Sequence, residues 1–352
     1  MGVGEGVRRI ISAVETTSLS FDIVNYERCN PARMGDSSYS HLITENPSHL
    51  INLWHINADH IKEVMFSIKK INIKKTYNIA FWTWELPVFP EEWCSCFDLL
   101  DEIWVPTEFV AESVRARTSK PVLVIPYPIA KERITFLDRN YFNIPSGACV
   151  FLAAYDLNST RMRKNPDAAI ESFQRAFKPN DREVLLIVKI NNPIQAEIKY
   201  LETKVLGWQN IRFIKKVLDR MEMNSLLNSV DCFVSLHRSE GFGLVIAEAM
   251  ILGKPVIATG WSGNVDFVPS TYPFSVNYKL VELSETYGPY KKGQFWAEPS
   301  TKHASQLMKK LAQEPLWGKQ IATTEQNQIE KMFSRENVGE KIQKRINEIR
   351  QL

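Results

Sequence analysis

Residues 230–266 read VDCFVSLHRSEGFGLVIAEAMILGKPVIATGWSGNVD, and the punctuation of this stretch decides the fold. Residues 230–236 are apolar and β-favouring and stop at His237, Arg238, Ser239 and Glu240, as a buried parallel strand stops at a site. A helix is predicted from Leu244 through Ile246, Ala247, Glu248 and Met250 to Gly253, a residue free to take the left-handed turn that ends a helix. Residues 254–259 form the next strand. Strand, tight loop, helix and strand make half of a nucleotide-binding unit.

Between the first strand and the helix stands Glu240-Gly241-Phe242-Gly243. The glycines let the backbone approach a ligand closely, and the helix start at Leu244 aims free N–H groups outward, which attracts phosphate. A carboxylate beside phosphate is electrostatically wrong unless it accepts hydrogen bonds from hydroxyls, so Glu240 and Glu248 point to sugar and ribose. The combination is a nucleotide sugar. The plainer reading, a loop charge and a solvated helix position, fits each Glu alone. It fits less well once Gly241, Gly243, Gly253 and both strands are counted together.

Here the chain resembles the GT-B glycosyltransferases of glycosyltransferase family 4, whose signature is Glu, seven residues, Glu, present as Glu240-GFGLVIA-Glu248. The resemblance implies a retaining enzyme with Glu240 near the donor sugar and Glu248 on the ribose. Gly260-Trp-Ser-Gly-Asn-Val-Asp266 resembles the family's glycine-bearing loop near the donor, which adds Gly263 and Asn264 to the donor-binding set of Gly241, Phe242, Gly243, Leu244 and Glu248.

Length allows two domains of ordinary size, and a hydrophobic share of 44% with 24% charged residues is that of a globular protein. The net charge of +3 is too slight for a nucleic-acid footprint, and the N-terminal half is mildly acidic. Five cysteines, Cys29, Cys94, Cys96, Cys149 and Cys232, are an odd number suited to reduced thiols in a cytoplasmic setting. Cys94-Ser-Cys96 has no second pair, and no metal is assigned. No apolar run approaches the roughly 18 residues of a membrane span, and no signal peptide is visible; peripheral contact with a membrane stays open.

The chain opens on Met1-Gly2-Val3-Gly4-Glu5-Gly6, ahead of an amphipathic helix pattern through Ile10, Ile11, Ala13 and Val14. The family resemblance implies a Gly-x-Gly-Glu loop against the donor phosphates, with Gly2 and Gly4 as its glycines and the first strand of the domain missing. Residues 2–6 also fit a terminus with no role. Strand candidates follow at 21–26, 51–56, 77–82, 102–105 and 121–125, with helices at 59–69, 90–98 and 108–116, an alternation that predicts a covered parallel sheet. Asn57 ends one strand. Trp82-Thr-Trp84-Glu85 ends another, where a saccharide acceptor suits Trp84 and Glu85 while Trp82 belongs to the core. Trp84-Glu-Leu-Pro87 with Glu102-Ile-Trp-Val-Pro106 resembles bacterial sugar transferases that make surface polysaccharides. His41, His49, His55 and His60 lack the spacing of a metal site or triad.

Residues 126–128 and 138–147 mark the expected hinge. A strand at 149–155 then leads into Arg161-Met-Arg163-Lys164-Asn165-Pro166 before a helix at 167–177. The resemblance implies a basic pair on the leaving diphosphate: Lys164 matches its lysine, and the arginine is Arg161 or Arg163. A solvated basic loop is the plainer reading. Strands at 183–190 and 211–213 and helices at 194–204 and 221–228 complete the alternation, residues 274–296 read as irregular, and Ser300 caps a helix through Gln313. A last helix at 335–350 carries an apolar stripe of Val338, Ile342, Ile346 and Ile349.

The expected architecture is α/β with two Rossmann-like doubly wound domains of the GT-B fold and the donor site in the cleft between them: an acceptor-side domain over 1–145, a donor domain over 146–330 and a helix over 331–352 crossing back. The expected activity is retaining, metal-independent transfer from a nucleotide-diphosphate sugar to a saccharide or lipid-linked saccharide, with Glu240 and Glu85 as catalytic residues, Asn57 and Trp84 on the acceptor side and no cofactor. The alternatives are a nucleotide-sugar-binding protein without turnover and a sugar epimerase on the same fold.

Overall fold

The computed structural model of the protein describes residues 3–26, 36–131 and 136–352, so Gly2 and Cys29 lie outside the described residues. The chain divides into two compact units, Met1–Pro128 with Phe333–Leu352, and Ile129–Met332.

The first unit opens on α1 (Val3–Val14). Strands β1 (Ile51–Trp54), β2 (Tyr77–Phe81), β3 (Glu102–Val105) and β4 (Val122–Val124) follow, with α2 (Ala58–Ser67) after β1 and α3 (Glu108–Arg115) after β3. The strands form a four-stranded parallel sheet in sequence order. β3 is buried along its whole length, as a central strand covered on both faces must be. Thr107 starts α3 by accepting from the Val110 N–H.

Three expectations are corrected in this unit. Gly4 and Gly6 are helical residues of α1, not a loop. Glu5 pairs with Arg9 at 3.0 Å inside this helix, and a Cβ at Gly6 would stand 2.7 Å from the Tyr127 ring, so this glycine serves close packing. The strand expected at 21–26 reduces to one bridge, Ile23 to Ile43, because Asp22 in its middle accepts from the Ser48 N–H instead of facing a sheet. The helix expected at 90–98 is a 3₁₀ helix over Glu91–Leu99.

The second unit alternates regularly: β5 (Cys149–Asp156), α4 (Arg161–Lys164), α5 (Pro166–Ala176), β6 (Val184–Asn191), α6 (Gln195–Lys204), β7 (Ile211–Ile214), α7 (Arg220–Ser229), β8 (Cys232–Ser235), α8 (Leu244–Ile251), β9 (Val256–Thr259) and β10 (Ser275–Val276). These strands form a six-stranded parallel sheet in the order β10-β9-β8-β5-β6-β7. The chain winds outward one way from β5 and the other way from β8, so the strand order reverses between them. A ligand site is expected beyond the carboxyl ends of those two strands.

Residues 274–296, expected to be irregular, contain β10 and the start of a hairpin of β11 (Tyr278–Glu282) with β12 (Phe295–Pro299). Gly288 and Gly293 take positive φ in the return of the chain. Two helices follow, α9 (Thr301–Gln313) and α10 (Pro315–Met332). The polar stretch at 138–147 is fastened to this unit, since Arg139 donates to the Ser229 and Ala148 carbonyls at 2.9 Å and pairs with Asp231 at 2.7 Å.

The last helix, α11 (Arg335–Ile349), belongs to the first unit. Val338, Ile342 and Ile349 are buried, and α11 lies so close to α1 that a Cβ at Gly339 would stand 2.5 Å from the Ala13 carbonyl oxygen. Arg345 reaches the fully buried carboxylate of Glu102 on β3, with contacts of 2.6 and 3.0 Å. Trp104 and Tyr77 donate to the same carboxylate. Among the described residues no helix is long and apolar enough to cross a membrane.

Candidate functional site

The site grows from the loops that follow β5 and β8. After β5 the chain turns through Thr160, at φ 61°, into the short α4, and leaves it through Asn165, at φ 51°. Non-glycine residues in this left-handed region are strained, and they frame the helix that carries Arg161, Arg163 and Lys164. After β8 the chain runs through buried His237, Ser239 and Glu240 to Gly243, which caps α8 at φ 94°.

The two loops meet at Glu240. Lys164 Nζ stands 2.5 Å from one oxygen of the Glu240 carboxylate and Arg163 Nη1 stands 3.3 Å from the other. Arg163 also donates to the Ser239 carbonyl at 2.8 Å, and the Arg238 N–H donates to the Arg163 carbonyl at 2.7 Å. Burial pushes the Glu240 carboxyl up, but Lys164 and Arg163 outweigh it and hold the group at about 2. His237 is driven the other way: burial, then the same two cations, lower its imidazole to about 4 against the pull of Glu240. At neutral pH the site therefore holds a carboxylate, two cations and a neutral imidazole.

A third loop, after β9, locks the second in place. Ser262, at φ 73°, accepts from the Glu240 N–H at 2.8 Å, and the Gly263 N–H donates to the Glu240 carbonyl at 2.8 Å. Thr259 Oγ1 donates to the His237 carbonyl at 2.7 Å, and the Asn264 side-chain amide donates to the Thr259 carbonyl at 3.0 Å. Gly263 lies so near Gly241 that a Cβ there would overlap its carbonyl and stand 2.9 Å from that of Glu240. Asn264 packs against Gly243, where a Cβ would come within 3.5 Å of the Asn264 side chain.

The structure thus brings together Glu240, Lys164, Arg163, Gly241, Gly243, Gly263 and Asn264. Leu244 is the first residue of α8 and Glu248 lies half-buried further along it. Phe242 is buried against Phe267, 5.2 Å between ring centroids, which leaves its ring no face for a ligand. Arg161 turns away into an acidic and aromatic cluster: it pairs with Asp167 and with Glu197 at 3.0 Å and lies 4.3 Å over the Tyr200 ring. Carboxylates neutralise this guanidinium, whereas Arg163 and Lys164 both lie on Glu240.

In the first unit, Asn57 and Glu85 stand at the carboxyl ends of β1 and β2. Asn57 accepts from the Thr83 N–H and hydroxyl, both at 3.3 Å. Glu85 is half-buried near Tyr127, whose phenol is raised by burial first and then by this carboxylate. Trp84 does not offer a sugar platform. Its side chain is only 2% exposed, its indole donates to the Val88 carbonyl at 2.9 Å, and it packs edge-on against Trp93 and Phe89. The apolar environment that five aromatic residues create from Trp82 to Phe97 wins over the strand-end position.

No motif marks His237 or Ser262 in the sequence; their only signals are position, His237 two residues past β8 and Ser262 just before Gly263. His55, read as an ordinary strand-end residue, is buried at the end of β1 and stacked 4.6 Å from Phe81, and burial lowers its imidazole to about 4.

With the geometry in place, comparisons give it a context. Residues 155–272, which run from the end of β5 past the Gly263 loop, match the model of a family described as glycosyl transferases group 1. Among curated proteins none matches this chain. Sucrose-phosphate synthase from Thermosynechococcus elongatus superposes with a TM-score of 0.68 at 13% identity, over 99% of this chain and 94% of the synthase. Anabaena HepE, solved with UDP and glucose, gives 0.63 at 13% identity over 85% of this chain and 78% of its own. The pneumococcal O-GlcNAc transferase GtfA, solved with UDP and GlcNAc, gives 0.61 at 14% identity over 85% of this chain, which spans only 56% of that protein. Likeness at such identities is one of fold: both units are Rossmann-like, the fold is that of GT-B proteins, and the glycosyl transferases group 1 match lies in the second unit.

Proposed function

We propose that the chain transfers a sugar, with retention, from a nucleotide-diphosphate sugar to a saccharide or lipid-linked saccharide acceptor in surface polysaccharide assembly. The observation that carries this reading is the convergence of Lys164 and Arg163 on an ionised Glu240 at the head of α8. It is supported by the glycosyl transferases group 1 match over the same loops.

In this reading the donor diphosphate takes the two cations from Glu240 and lies against the N–H groups at the start of α8. The freed Glu240 carboxylate accepts from hydroxyls of the donor sugar, and Glu248 accepts from the ribose. An acceptor hydroxyl attacks the anomeric carbon on the face from which the diphosphate departs, and Asn57 and Glu85 are the residues proposed to bind the acceptor. One C–O bond forms as the C–O bond to phosphate breaks, and the acceptor proton passes to the leaving phosphate oxygen. Lys164 and Arg163 stabilise the charge that grows there, a role that elsewhere falls to a metal ion. Retention, metal independence and the acceptor all belong to this proposal.

The test is a thermal-shift screen against UDP, GDP, ADP and CMP with their common sugars, beside Glu248→Ala. UDP comes first because HepE and GtfA are described with it. A nucleotide that raises the melting temperature of the parent but not of the variant supports the donor site. No shift from any of them in a folded sample overturns it. Donor turnover then separates a transferase from the alternative, a nucleotide-sugar-binding protein without catalysis.

A further inference from the structure

The hairpin of β11 and β12 carries a surface that the transfer reading does not use. Its register pairs Leu280 with Ala297 and Glu282 with Phe295, and residues two apart on a strand share a face, so Tyr278, Leu280, Glu282 and Phe295 fall on the same side. Tyr278 is 39% exposed, Leu280 54% and Phe295 47%. The Trp261 ring lies 6.4 Å from that of Tyr278 and extends the row. The other face is used up within the unit. Trp296 is buried there, stacked 5.4 Å from Tyr287 with the Arg238 guanidinium 5.4 Å from its ring, and Arg238 pairs with Glu298 at 2.6 Å.

The hairpin is joined to the candidate site at both ends. At its base, Trp261 precedes Ser262, which accepts from the Glu240 N–H, and the Ala297 N–H donates to the Arg238 carbonyl at 2.9 Å. At its return, the Tyr290 ring lies 5.8 Å from the Arg163 guanidinium, and a Cβ at Gly288 would stand 3.8 Å from the Thr160 hydroxyl. Between these ends β11 runs for about 14 Å, longer than one sugar ring.

Size and charge select the occupant. At roughly 200 Å² for a side chain of this size, the exposed parts of Tyr278, Leu280 and Phe295 come to about 300 Å². A stable protein interface takes about 800 Å² from each partner, so a second copy of the chain finds too little surface here. Lys279, Lys291 and Lys292 balance Glu282, Glu285 and Glu298 in the hairpin, which offers a polyanion no net attraction. The surface suits a narrow uncharged chain that lays C–H groups on rings and donates from hydroxyls. An aromatic face carries negative potential that attracts polarised C–H groups, and the exposed Glu282 carboxylate accepts from hydroxyls. We infer that this face of the hairpin holds an uncharged saccharide chain, with Trp261, Tyr278 and Phe295 against the sugar rings and Glu282 on their hydroxyls. The choice of a saccharide rests on the transfer reading and extends its acceptor to a chain of several sugars.

Native electrophoresis of the full chain tests it, through gels cast with dextran, mannan or galactomannan, all uncharged, and with anionic alginate. Retardation is expected in at least one of the uncharged gels. Tyr278→Ser combined with Phe295→Ser should weaken this binding about tenfold or more, whereas Tyr278→Phe combined with Phe295→Tyr should retain it. Leu280→Ser removes comparable apolar surface without a ring and should leave binding nearly unchanged. All these variants alter exposed side chains and should keep the parent melting temperature and nucleotide response. Retardation by none of the uncharged polysaccharides overturns the inference, whatever the nucleotide screen shows, while retardation without a nucleotide shift overturns the donor site alone. Stronger retardation by alginate, or equal retardation of the double serine variant, also overturns the inference. So does a loss in Leu280→Ser as large as in that variant, or a parent dimer that the variant dissolves in sedimentation velocity.

Discussion

Lys164 Nζ lies 2.5 Å from the Glu240 carboxylate, joining the loop after β5 to the loop after β8 across the point where the sheet changes direction. The contact is mostly buried, so removing one partner leaves an ill-compensated charge. Lys164→Ala should cost about 3 kcal/mol of stability, less whatever Arg163 recovers. Lys164→Ala with Glu240→Gln should cost less than Lys164→Ala alone, because the orphaned charge is gone. Urea unfolding of the parent and these variants measures the cycle.

The two arginines of α4 should separate cleanly. Arg163 faces Glu240, and Arg161 faces Asp167 and Glu197. Arg163→Ala is expected to weaken nucleotide binding by about tenfold or more, as loss of a charge-assisted contact does. Arg161→Ala is expected to lower the melting temperature with nucleotide affinity nearly intact. Titration calorimetry beside thermal melts reads both, and a reversed pattern would move the phosphate clamp to Arg161.

Gly263 leaves no room for a side chain beside Gly241. Gly263→Ala should push the loop after β9 off Glu240, break the Ser262 and Gly263 hydrogen bonds and lower both stability and donor affinity, whereas Gly147→Ala, where no atom lies within 4 Å of the added carbon, should do neither. Melting temperature and nucleotide affinity of the pair check this.

Acid should unfold the protein in two stages. His55 and His237 are held near 4 from an ordinary 6.5, so the unfolded chain binds more protons between these values and stability falls as pH drops from about 6.5 to 4. Glu240 is held near 2 from 4.5, and its contribution is present above the unfolded value and lost as pH falls from about 4.5 to 2. A shift of this size corresponds to about 3 kcal/mol. Unfolding free energy against pH should therefore flatten in the upper window for His55→Asn and in the lower one for Glu240→Gln.

The sequence made the second unit legible because its strands are buried on both faces and appear as continuous apolar runs with glycines at the loops. The same logic singles out Glu240, Lys164 and Gly263, and the structure places Lys164 and Gly263 against Glu240. The sequence leaves Arg161 and Arg163 open, since their surroundings differ through Asp167 and Glu197, which pair with Arg161, and Glu197 comes from α6. A strand-end aromatic such as Trp84 looks alike in sequence whether it meets a ligand or, as here, Trp93 and Phe89. The hairpin of β11 and β12 escaped notice because Tyr278, Leu280 and Phe295 are exposed apolar residues on it, contrary to the pattern that marks a half-buried strand. α10 escaped for a related reason: Gly318, Thr323 and Thr324 dilute its apolar spacing.

Arg345 grips the fully buried Glu102 through two guanidinium nitrogens. Arg345→Met should cost about 3–5 kcal/mol, as breaking a buried pair does, and guanidinium unfolding would show it.

That grip also bears on how the chain is made. Glu102 leaves the ribosome long before Arg345, and the whole of Ile129–Met332 is synthesised between them. The second unit is contiguous and can complete its sheet during translation, whereas β3 must hold a carboxylate without its guanidinium until the last helix emerges. The first unit to begin is therefore the last to finish, and a chain cut short before residue 335 would leave its sheet with an uncompensated charge at the centre.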